Sequence, residues 1–153
     1  MSHRQENAWA LEDFEAGQVF DSQGRTITET DVVTFAGWSW DTNPVHTDEP
    51  TQATGRFGTR IAHGLLGLSI AMGLASRIGV FEQCSVALLG IENWQFLAPV
   101  KIGDTLHVRV EILSARPTSR GETGILERGF KLINQRGEVV QTGQIGLMVS
   151  ARR

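Results

Sequence analysis

The sequence predicts an α+β domain in which an antiparallel sheet wraps around one long buried helix. Residues 61–78 are apolar on nearly every side, which indicates a helix that is buried on most of its faces. From Val86 onward apolar and polar residues alternate instead, and glycine-containing turns of hairpin length separate the runs. Strands joined by hairpins pair antiparallel, so the predicted sheet is antiparallel, and it can bury its apolar face against the long helix.

Composition excludes several classes of protein. The 153 residues suffice for one domain, and we expect a single domain over 1–153 with a short polar leader at 1–13. Lys and Arg number 14 against 17 Asp and Glu, so no basic surplus predicts binding to nucleic acid or to a membrane surface. The leader lacks the apolar segment of a secretory signal, and the apolar run at 61–76 is shorter than the about 20 residues that span a bilayer. We therefore expect a cytoplasmic protein.

The elements before the long helix are short. Residues 17–28 mix β-branched residues with turn formers, which predicts a first strand. The sequence T-E-T-D at 28–31 fits a capping box, so a short helix should begin there and run to Ala36. The segment D-T-N-P-V-H-T-D-E-P at 41–50 is rich in turn-forming residues and should form loop and single helical turns. Its last acidic residues suit the first turn of a short helix after Thr47.

The long helix and the later strands should supply the core. Small residues at 64, 67, 71 and 75 share one helix face, which lets a sheet approach closely. Interior glycines weaken a helix by about 1 kcal/mol each, so burial must hold this one together. About four long strands follow, with turns at 119–122 and 134–137. The residues expected on their buried faces are Leu106, Val108, Val110 and Ile112, and in the last strand Val139, Ile145, Leu147 and Val149.

The segment at 41–46 holds residue types suited to acid–base chemistry. Pro44 restricts the backbone and Asn43 can bond to it, so the turn can aim Asp41 and His46 at one small volume. A carboxylate and a neutral imidazole together can activate a water or exchange a proton at carbon near neutral pH. The same spacing also fits an ordinary loop in which the carboxylate caps a turn and the imidazole bonds a carbonyl, and spacing alone favours neither interpretation.

The start of the long helix favours the catalytic interpretation. His63 and Gly64 stand at its first turn, where backbone N–H groups are unpaired and the helix dipole is positive. Such a site stabilises negative charge on a thioester carbonyl oxygen, as an oxyanion hole built from backbone. Gly64 also suits close packing against the sheet, and the two roles are compatible. For His63 by itself, a structural role is the commoner one.

A metal site built from Asp41, His46, Asp48 and His63 fits the sequence less well. Their spacings match no familiar set of ligands, and the histidines are not placed one helical turn apart. The single cysteine, Cys84, excludes both an intramolecular disulfide and a zinc finger. We therefore expect neither a metal nor another cofactor.

Four segments together resemble a known family, the MaoC-like or (R)-specific enoyl-CoA hydratases and dehydratases of the hotdog fold. The resemblance extends from about Phe14 to Val149, and its most specific part is D-x-N-P-x-H followed by A-H-G at a helix start. The matching segments are RTITETDVVTFAG at 25–37, DTNPVHTD at 41–48, RIAHGLLGLSIAMGL at 60–74 and FLAPVKIGDTLHVRVEI at 96–112.

The resemblance implies a hydro-lyase that adds water reversibly across the 2,3-double bond of a 2-enoyl-CoA thioester, giving the (R)-3-hydroxyacyl product. By the same resemblance Asp41 and His46 would be the catalytic pair, and the Gly64 N–H would polarise the thioester carbonyl. Asn43 would orient the loop, with His63 in support. Relatives of this kind are homodimers or higher assemblies that bind acyl-CoA, and no cofactor is implied.

Two departures from the family pattern concern the acyl pocket. Many relatives have glycine before the catalytic aspartate, where this chain has Trp40, and Trp38 lies close by. The acyl preference of the relatives is therefore not transferred, and the carrier, CoA or acyl-carrier protein, stays open. Two alternatives also stay open: a hotdog acyl-CoA thioesterase, and a non-catalytic acyl-thioester-binding or heterodimer partner subunit. The presence of both Asp41 and His46 argues against the second of these.

Overall fold

Four long antiparallel strands form a curved sheet around one central helix. A computed structural model describes residues 8–152, and in it the strand order is β1–β4–β5–β6–β3, with the short β2 paired to β4. The strands are β1 Val19–Asp21, β2 Arg25–Thr26, β3 Ser85–Phe96, β4 Thr105–Pro117, β5 Thr123–Ile133 and β6 Val139–Ser150. The helices are a 3₁₀ turn at Leu11–Asp13, α1 Glu29–Ser39, α2 Pro44–Thr47, α3 Glu49–Ala53 and α4 Gly64–Ser76.

This architecture confirms the predicted class, an antiparallel sheet around one long helix. The expected first strand is instead two short strands, β1 and β2, which both pair antiparallel with β4. The helix α4 is shorter than the apolar run at 61–78, because Ile61 forms an isolated bridge with Lys101 before the helix begins. No helix among residues 8–152 is long and apolar enough to span a membrane.

The inward faces of the sheet and α4 form the hydrophobic core. The predicted alternation in β4 is confirmed, since its four inward side chains are fully buried. Burying one such aliphatic side chain contributes about 1.5–3 kcal/mol of transfer free energy, which offsets the weak helix propensity of the glycine-rich α4. The residues of this core include Leu106, Val108, Val110 and Ile112 of β4, Leu126, Phe130 and Leu132 of β5, and Ile70, Ala71, Leu74 and Ala75 of α4.

The start of β6 departs from the predicted alternation. Leu132 pairs with Gln141 and Ile133 pairs with Val139, so the register shifts by one residue at this point. As a result Val140, not Val139, is the fully buried valine, and Gln141 is buried beside it. The prediction for Val139 is wrong because a bulge changes which face each residue presents.

Part of the predicted leader at 1–13 belongs to the core. Residues 1–7 lie outside the described residues, but Ala10 and Leu11 are buried. A methyl group at Gly124 of β5 would overlap the side chain of Leu11, so a glycine is needed there. Polar residues make up most of residues 1–13, so the average composition of this segment did not indicate that part of it is buried.

One charged residue lies inside the core. Arg128 is 2 % exposed on the inward face of β5, and its guanidinium lies 4.9 Å from the Phe81 ring centroid and 5.1 Å from that of Phe130. Its Nε donates a hydrogen bond to the Ile145 carbonyl oxygen at 3.3 Å. Burial lowers the pKa of Arg128 to about 10, since a desolvated cation is less stable than a hydrated one. The two aromatic faces offset part of that loss.

Helix α1 begins at the predicted capping box. The hydroxyl of Thr28 accepts a hydrogen bond from the Asp31 N–H, and the Asp31 carboxylate accepts one from the Thr28 N–H. Asp31 also forms an ion pair with Arg25 at 2.7 Å. The hydrogen bond from Arg25 lowers the pKa of Asp31 most, and its bonds to Thr28 lower it further.

Helix α1 continues past the predicted end at Ala36 to Ser39, and Trp40 then ends it in a left-handed conformation with φ 63°. Only glycine adopts this conformation without strain, and other residues are destabilised there by about 1–2 kcal/mol. The Trp40 side chain is 89 % exposed and so recovers little of that energy by packing. This left-handed conformation explains why glycine suits the position directly before Asp41.

The first prediction concerns the pH dependence of stability at the α1 cap. The pKa of Asp31 is lowered in the folded protein, so its negative charge stabilises the fold at pH values above the unfolded pKa of about 4. This stabilisation is lost as the pH falls through the pKa that Asp31 has in the folded protein. Asp31→Asn should therefore lower the free energy of unfolding by about 1 kcal/mol at pH 7. Urea titrations should show the difference from wild type closing below about pH 4; a difference independent of pH would contradict this.

The second prediction compares two exposed tryptophans. Trp40→Gly should raise the free energy of unfolding by about 0.5–1 kcal/mol, because glycine relieves the strain at φ 63° while adding freedom to the unfolded chain. Trp38 is 84 % exposed but lies within helix α1. Trp38→Gly should therefore lower the same quantity by about 0.5–1 kcal/mol. Chemical denaturation of both variants tests the pair, and changes of the same sign would refute the conformational explanation.

Candidate active site

Local hydrogen bonds fix the turn that carries Asp41. The Asp41 N–H donates to the Ser39 hydroxyl at 3.2 Å, and the Asp41 carboxylate accepts from the Asn43 N–H at 3.3 Å. Asn43 caps α2, its side-chain oxygen accepting from the Val45 N–H at 3.1 Å, and Pro44 occupies the first helical position. Asn43 therefore holds the turn through the backbone, and the Asp41 carboxylate stays exposed.

His46 lies in α2, and its hydrogen bonds determine which ring nitrogen carries the proton. Nδ1 lies 2.7 Å from the carbonyl oxygen of Ile61, which can only accept, so Nδ1 is the protonated nitrogen. In the neutral imidazole Nε2 therefore has the lone pair, and it faces Asp41, whose Oδ2 lies 3.9 Å away. This gap is too long for a direct hydrogen bond and allows one water to contact both atoms.

His63 packs against both members of the pair. Its Nε2 lies 2.8 Å from the main-chain carbonyl oxygen of Asp41, and its ring stacks on His46 with centroids 3.7 Å apart. Phe35 contacts the His63 ring as well, at 4.9 Å. His63 is 2 % exposed, and its Nδ1 has no hydrogen-bond partner within residues 8–152. These are the contacts of a residue that holds Asp41 and His46 in place.

The same three side chains place potential metal ligands close together, and their orientation disfavours a metal. One ligand atom each from Asp41, His46 and His63 lies within 4.8 Å of the others. Imidazole binds a metal through a lone pair in its ring plane, and the two stacked rings are tilted by only 24°, so one ion close to both rings cannot lie in both ring planes. Asp48, the fourth residue considered for this site, instead caps α3 through Thr51, whose hydroxyl hydrogen bond lowers the pKa of Asp48 most.

The N-terminus of α4 faces a cleft beside His46. Gly64 is the first helical residue, and the side chain of His63 before it makes no capping hydrogen bond. The first N–H groups of a helix have no intrahelical partner, so they are available to a ligand. A methyl group at Gly64 would lie 2.8 Å from the Phe96 ring, which therefore requires glycine here. The cleft has a volume of about 380 Å³, and its lining includes His46, Phe57, Gly64, Phe96 and Gln141.

Charged residues near the cleft are only partly free to bind a substrate. Arg60 forms ion pairs with Glu49 at 2.6 Å and with Glu29 at 2.8 Å, and these hydrogen bonds raise the pKa of Arg60. The charge of Arg60 is therefore neutralised by these two carboxylates, and the ion pairs connect α1 to α3. The guanidinium of Arg56 lies 6.0 Å from the ring of Phe57, at the edge of the cleft.

The structure thus brings together Asp41, His46, His63 and Gly64, four of the five residues singled out from sequence, and places Asn43 behind them as a cap. Sequence reasoning missed two contributions. The Ile61 carbonyl sets the proton on His46, and a backbone atom leaves no sequence signal. Gln141 enters the cleft because of the β6 bulge, and the only signal was a polar residue directly after two valines.

Comparison with known proteins gives consistent relationships. Residues 13–129 match the family model described as MaoC like domain. An (R)-specific enoyl-CoA hydratase of Rhodospirillum rubrum is 35 % identical over 143 residues, covering 93 % of this chain and 92 % of that protein. The crystal structure of a MaoC-like dehydratase from R. rubrum superposes with a TM-score of 0.83 at 29 % identity, over 95 % of this chain and 99 % of that one.

A more distant structure confirms the hotdog fold. Rv0216 of Mycobacterium tuberculosis, described as a double hotdog, superposes with a TM-score of 0.82 at 23 % identity, over 97 % of this chain and 46 % of that one. At that identity the likeness concerns the fold alone. The matched sequence model, the close R. rubrum relatives and the antiparallel sheet around α4 lead to one conclusion: the chain belongs to the MaoC-like dehydratase family and has its hotdog fold.

Proposed function

We propose that the protein is a hydro-lyase that reversibly hydrates a 2-enoyl-CoA thioester to the (R)-3-hydroxyacyl-CoA. One observation carries the proposal: Nε2 of His46, the ring nitrogen not bonded to Ile61, faces the Asp41 carboxylate at 3.9 Å, beside a cleft that reaches the N-terminus of α4. Relatives named (R)-specific enoyl-CoA hydratase and 3-hydroxybutyryl-CoA dehydratase support the class of reaction. We place the enzyme in the cytoplasm.

In the proposed mechanism Asp41 and His46 hold one water between them. His46 Nε2 or the Asp41 carboxylate takes a proton from that water as its oxygen bonds to C3 of the enoyl group. The electrons of the 2,3-double bond move toward the thioester, and C2 then receives a proton from the same pair. Hydroxyl is thus added at C3 and hydrogen at C2, and no redox partner is required. The Ile61 carbonyl keeps the Nδ1 proton in place, so Nε2 stays available as the base.

The N-terminus of α4 would stabilise the charge formed during addition. Negative charge develops on the thioester oxygen as C3 is attacked, and preorganised N–H donors lower the energy of that state. The N–H of Gly64 is the proposed donor, because Gly64 is the first residue of α4 and lines the cleft beside His46. Gly64 itself has no side chain that would block this approach.

The third prediction tests the catalytic pair. Asp41→Asn and His46→Gln should each lower kcat for hydration of a 2-enoyl-CoA by about 10²–10⁴-fold, because each removes a proton-transfer group while keeping its shape. The rate is measured as the loss of enoyl-thioester absorbance. Straight-chain, branched and dicarboxylic enoyl-CoA esters are each tested as substrates. Asp48→Asn is the matched control in the same segment; it keeps the cap of α3 and should leave kcat within about twofold.

Two outcomes would redirect the proposal. If both Asp41→Asn and His46→Gln are folded and turn over at wild-type rates, the acid–base assignment fails. A free-thiol assay run alongside separates hydration from thioester hydrolysis, since only hydrolysis releases CoA. Wild-type protein that binds acyl-CoA but neither hydrates nor hydrolyses it would be a binding subunit instead.

We further propose one domain over 1–153 and a homodimer joined through β3. The matched family model ends at residue 129, and β6 beyond it pairs with both β5 and β3, so the remainder completes the same sheet. Strand β3 is an edge of the sheet and exposes apolar side chains along its length, a surface that native proteins cover. The exposed residues are Val86, Leu88, Leu89, Ile91 and Phe96.

The fourth prediction tests that interface. Leu89→Lys and Ile91→Lys should convert the dimer to monomer at micromolar concentration, because a desolvated ammonium opposes pairing of two β3 edges. Light scattering after size exclusion gives the mass directly. Leu113→Lys is the control, since Leu113 is 38 % exposed but lies on β4 inside the sheet. Unchanged mass for both β3 variants would refute this interface.

A further inference from the structure

Gln141 links the sheet to the N-terminus of α4. Its Nε2 donates a hydrogen bond to the carbonyl oxygen of Gly64 at 3.1 Å, and its Oε1 accepts one from Trp94 Nε1 at 3.1 Å. Gln141 is 2 % exposed and lines the cleft beside His46. Both ends of this buried amide are therefore occupied, which fixes its position far better than packing alone.

Two irregular strands direct these side chains inward. The bulge at the start of β6 buries both Val140 and Gln141, although neighbouring residues of a regular strand face opposite sides. In β3 the register also shifts between Glu92 and Gln95, and Asn93 there has φ 52°. Bulges re-aim side chains, and here the two bulges bring the Gln141 amide and the Trp94 indole together.

Two glycines make room for the same pair. A methyl group at Gly67 of α4 would overlap the Gln141 amide, and one at Gly143 of β6 would lie 2.6 Å from the Trp94 ring. Glycine inside a helix or a strand is destabilising by about 0.5–1 kcal/mol relative to alanine. Two glycines and two bulges thus accommodate one buried polar contact. Packing an apolar core would require neither the glycines nor the bulges.

The contact ends on the residue whose conformation matters most for the proposed reaction. Glycine has no side chain to restrict its own dihedral angles, so Gly64 needs an external restraint to hold its peptide planes. We propose that Gln141 is a positioning residue, oriented by Trp94. By holding the peptide plane that carries the Gly64 carbonyl, it restrains the dihedral angles of Gly64, so that the N–H on the preceding peptide plane points at the thioester oxygen. This inference rests on the proposed hydratase function for its kinetic consequence, but not for its structural one.

The kinetic test uses Gln141→Met, which keeps the side-chain volume and removes both hydrogen bonds. We expect kcat to fall by about 10–100-fold with KM within about threefold, since only stabilisation of the transition state is lost. In an Asp41→Asn background, which blocks turnover, a bound 2,4-dienoyl-CoA should show a smaller red shift of its absorption band than with Gln141 present. A purely structural role for Gln141 would lower stability without changing that spectrum.

Gln144→Met is the matched control, because Gln144 lies on the same strand and is exposed. It should keep the wild-type kcat and red shift. A folded Gln141→Met variant that behaves like this control in both measurements would overturn the inference. If Gln141→Met fails to fold, Trp94→Phe decides in its place; it leaves Gln141 present but unoriented, and it should lower kcat and the red shift in the same direction.

A measurement without substrate separates this inference from the proposed function. The ¹⁵N order parameter of the Gly64 amide should fall from a rigid value of about 0.85 toward 0.6 in Gln141→Met, and stay unchanged in Gln144→Met. If the wild type hydrates no enoyl thioester, the proposed function fails, yet this drop would still support the positioning role. An order parameter that is the same in both variants would overturn the positioning role even in an active hydratase.

Discussion

The close contact between the first turn of α4 and the strands β3 and β6 is the constraint on which the rest of the structure depends. Gly64 lies against Phe96 and Gly67 against Gln141, and neither position has space for a methyl group. Because Gly64 lines the cleft beside His46, the unpaired N–H groups at the helix start adjoin that cleft. The glycines that allow this also weaken the helix, and the apolar core of β4 and β5 offsets that loss.

The histidines depend on the same junction. Ile61, just before α4, supplies the carbonyl that fixes the proton on His46, and His63, the residue directly before the helix, bonds to the Asp41 backbone. Main-chain carbonyls thus set the ring orientations on both sides of the stack. A shift of the helix start would move the proposed base and the proposed oxyanion donor together, which suits two groups that must act on one thioester.

A residue with a strained backbone adjoins this junction. Trp40 adopts a left-handed conformation directly before Asp41 and leaves its side chain in solvent. The conformation itself is required, because the chain must leave α1 and turn at once into the capped loop that presents the carboxylate. The strain thus arises because a tryptophan, and not a glycine, occupies a turn whose shape is fixed by the geometry of the active site.

Much of the fold and of the site could be predicted from the sequence. The change of apolar period at Val86 determined the class, the capping box at Thr28 determined where α1 begins, and Pro44 with Asn43 indicated a rigid turn. These signals are local, since capping, turn formation and alternation depend on residues a few positions apart. Spacing alone did not decide the role of Asp41 and His46; the neighbouring helix start favoured a catalytic role, and the resemblance implied that the two act as a pair.

Tertiary structure decided what local pattern cannot encode. The β6 bulge buried Val140 and Gln141 in place of Val139, because register is set by pairing with β5 and β3 across the sheet. The stacking of His46 on His63 joins residues 17 positions apart, and the link from Trp94 through Gln141 to Gly64 spans 77 positions. The sequence by itself determined which residues could do chemistry; the packing of α4 on two irregular strands decided which of them meet, and in what orientation.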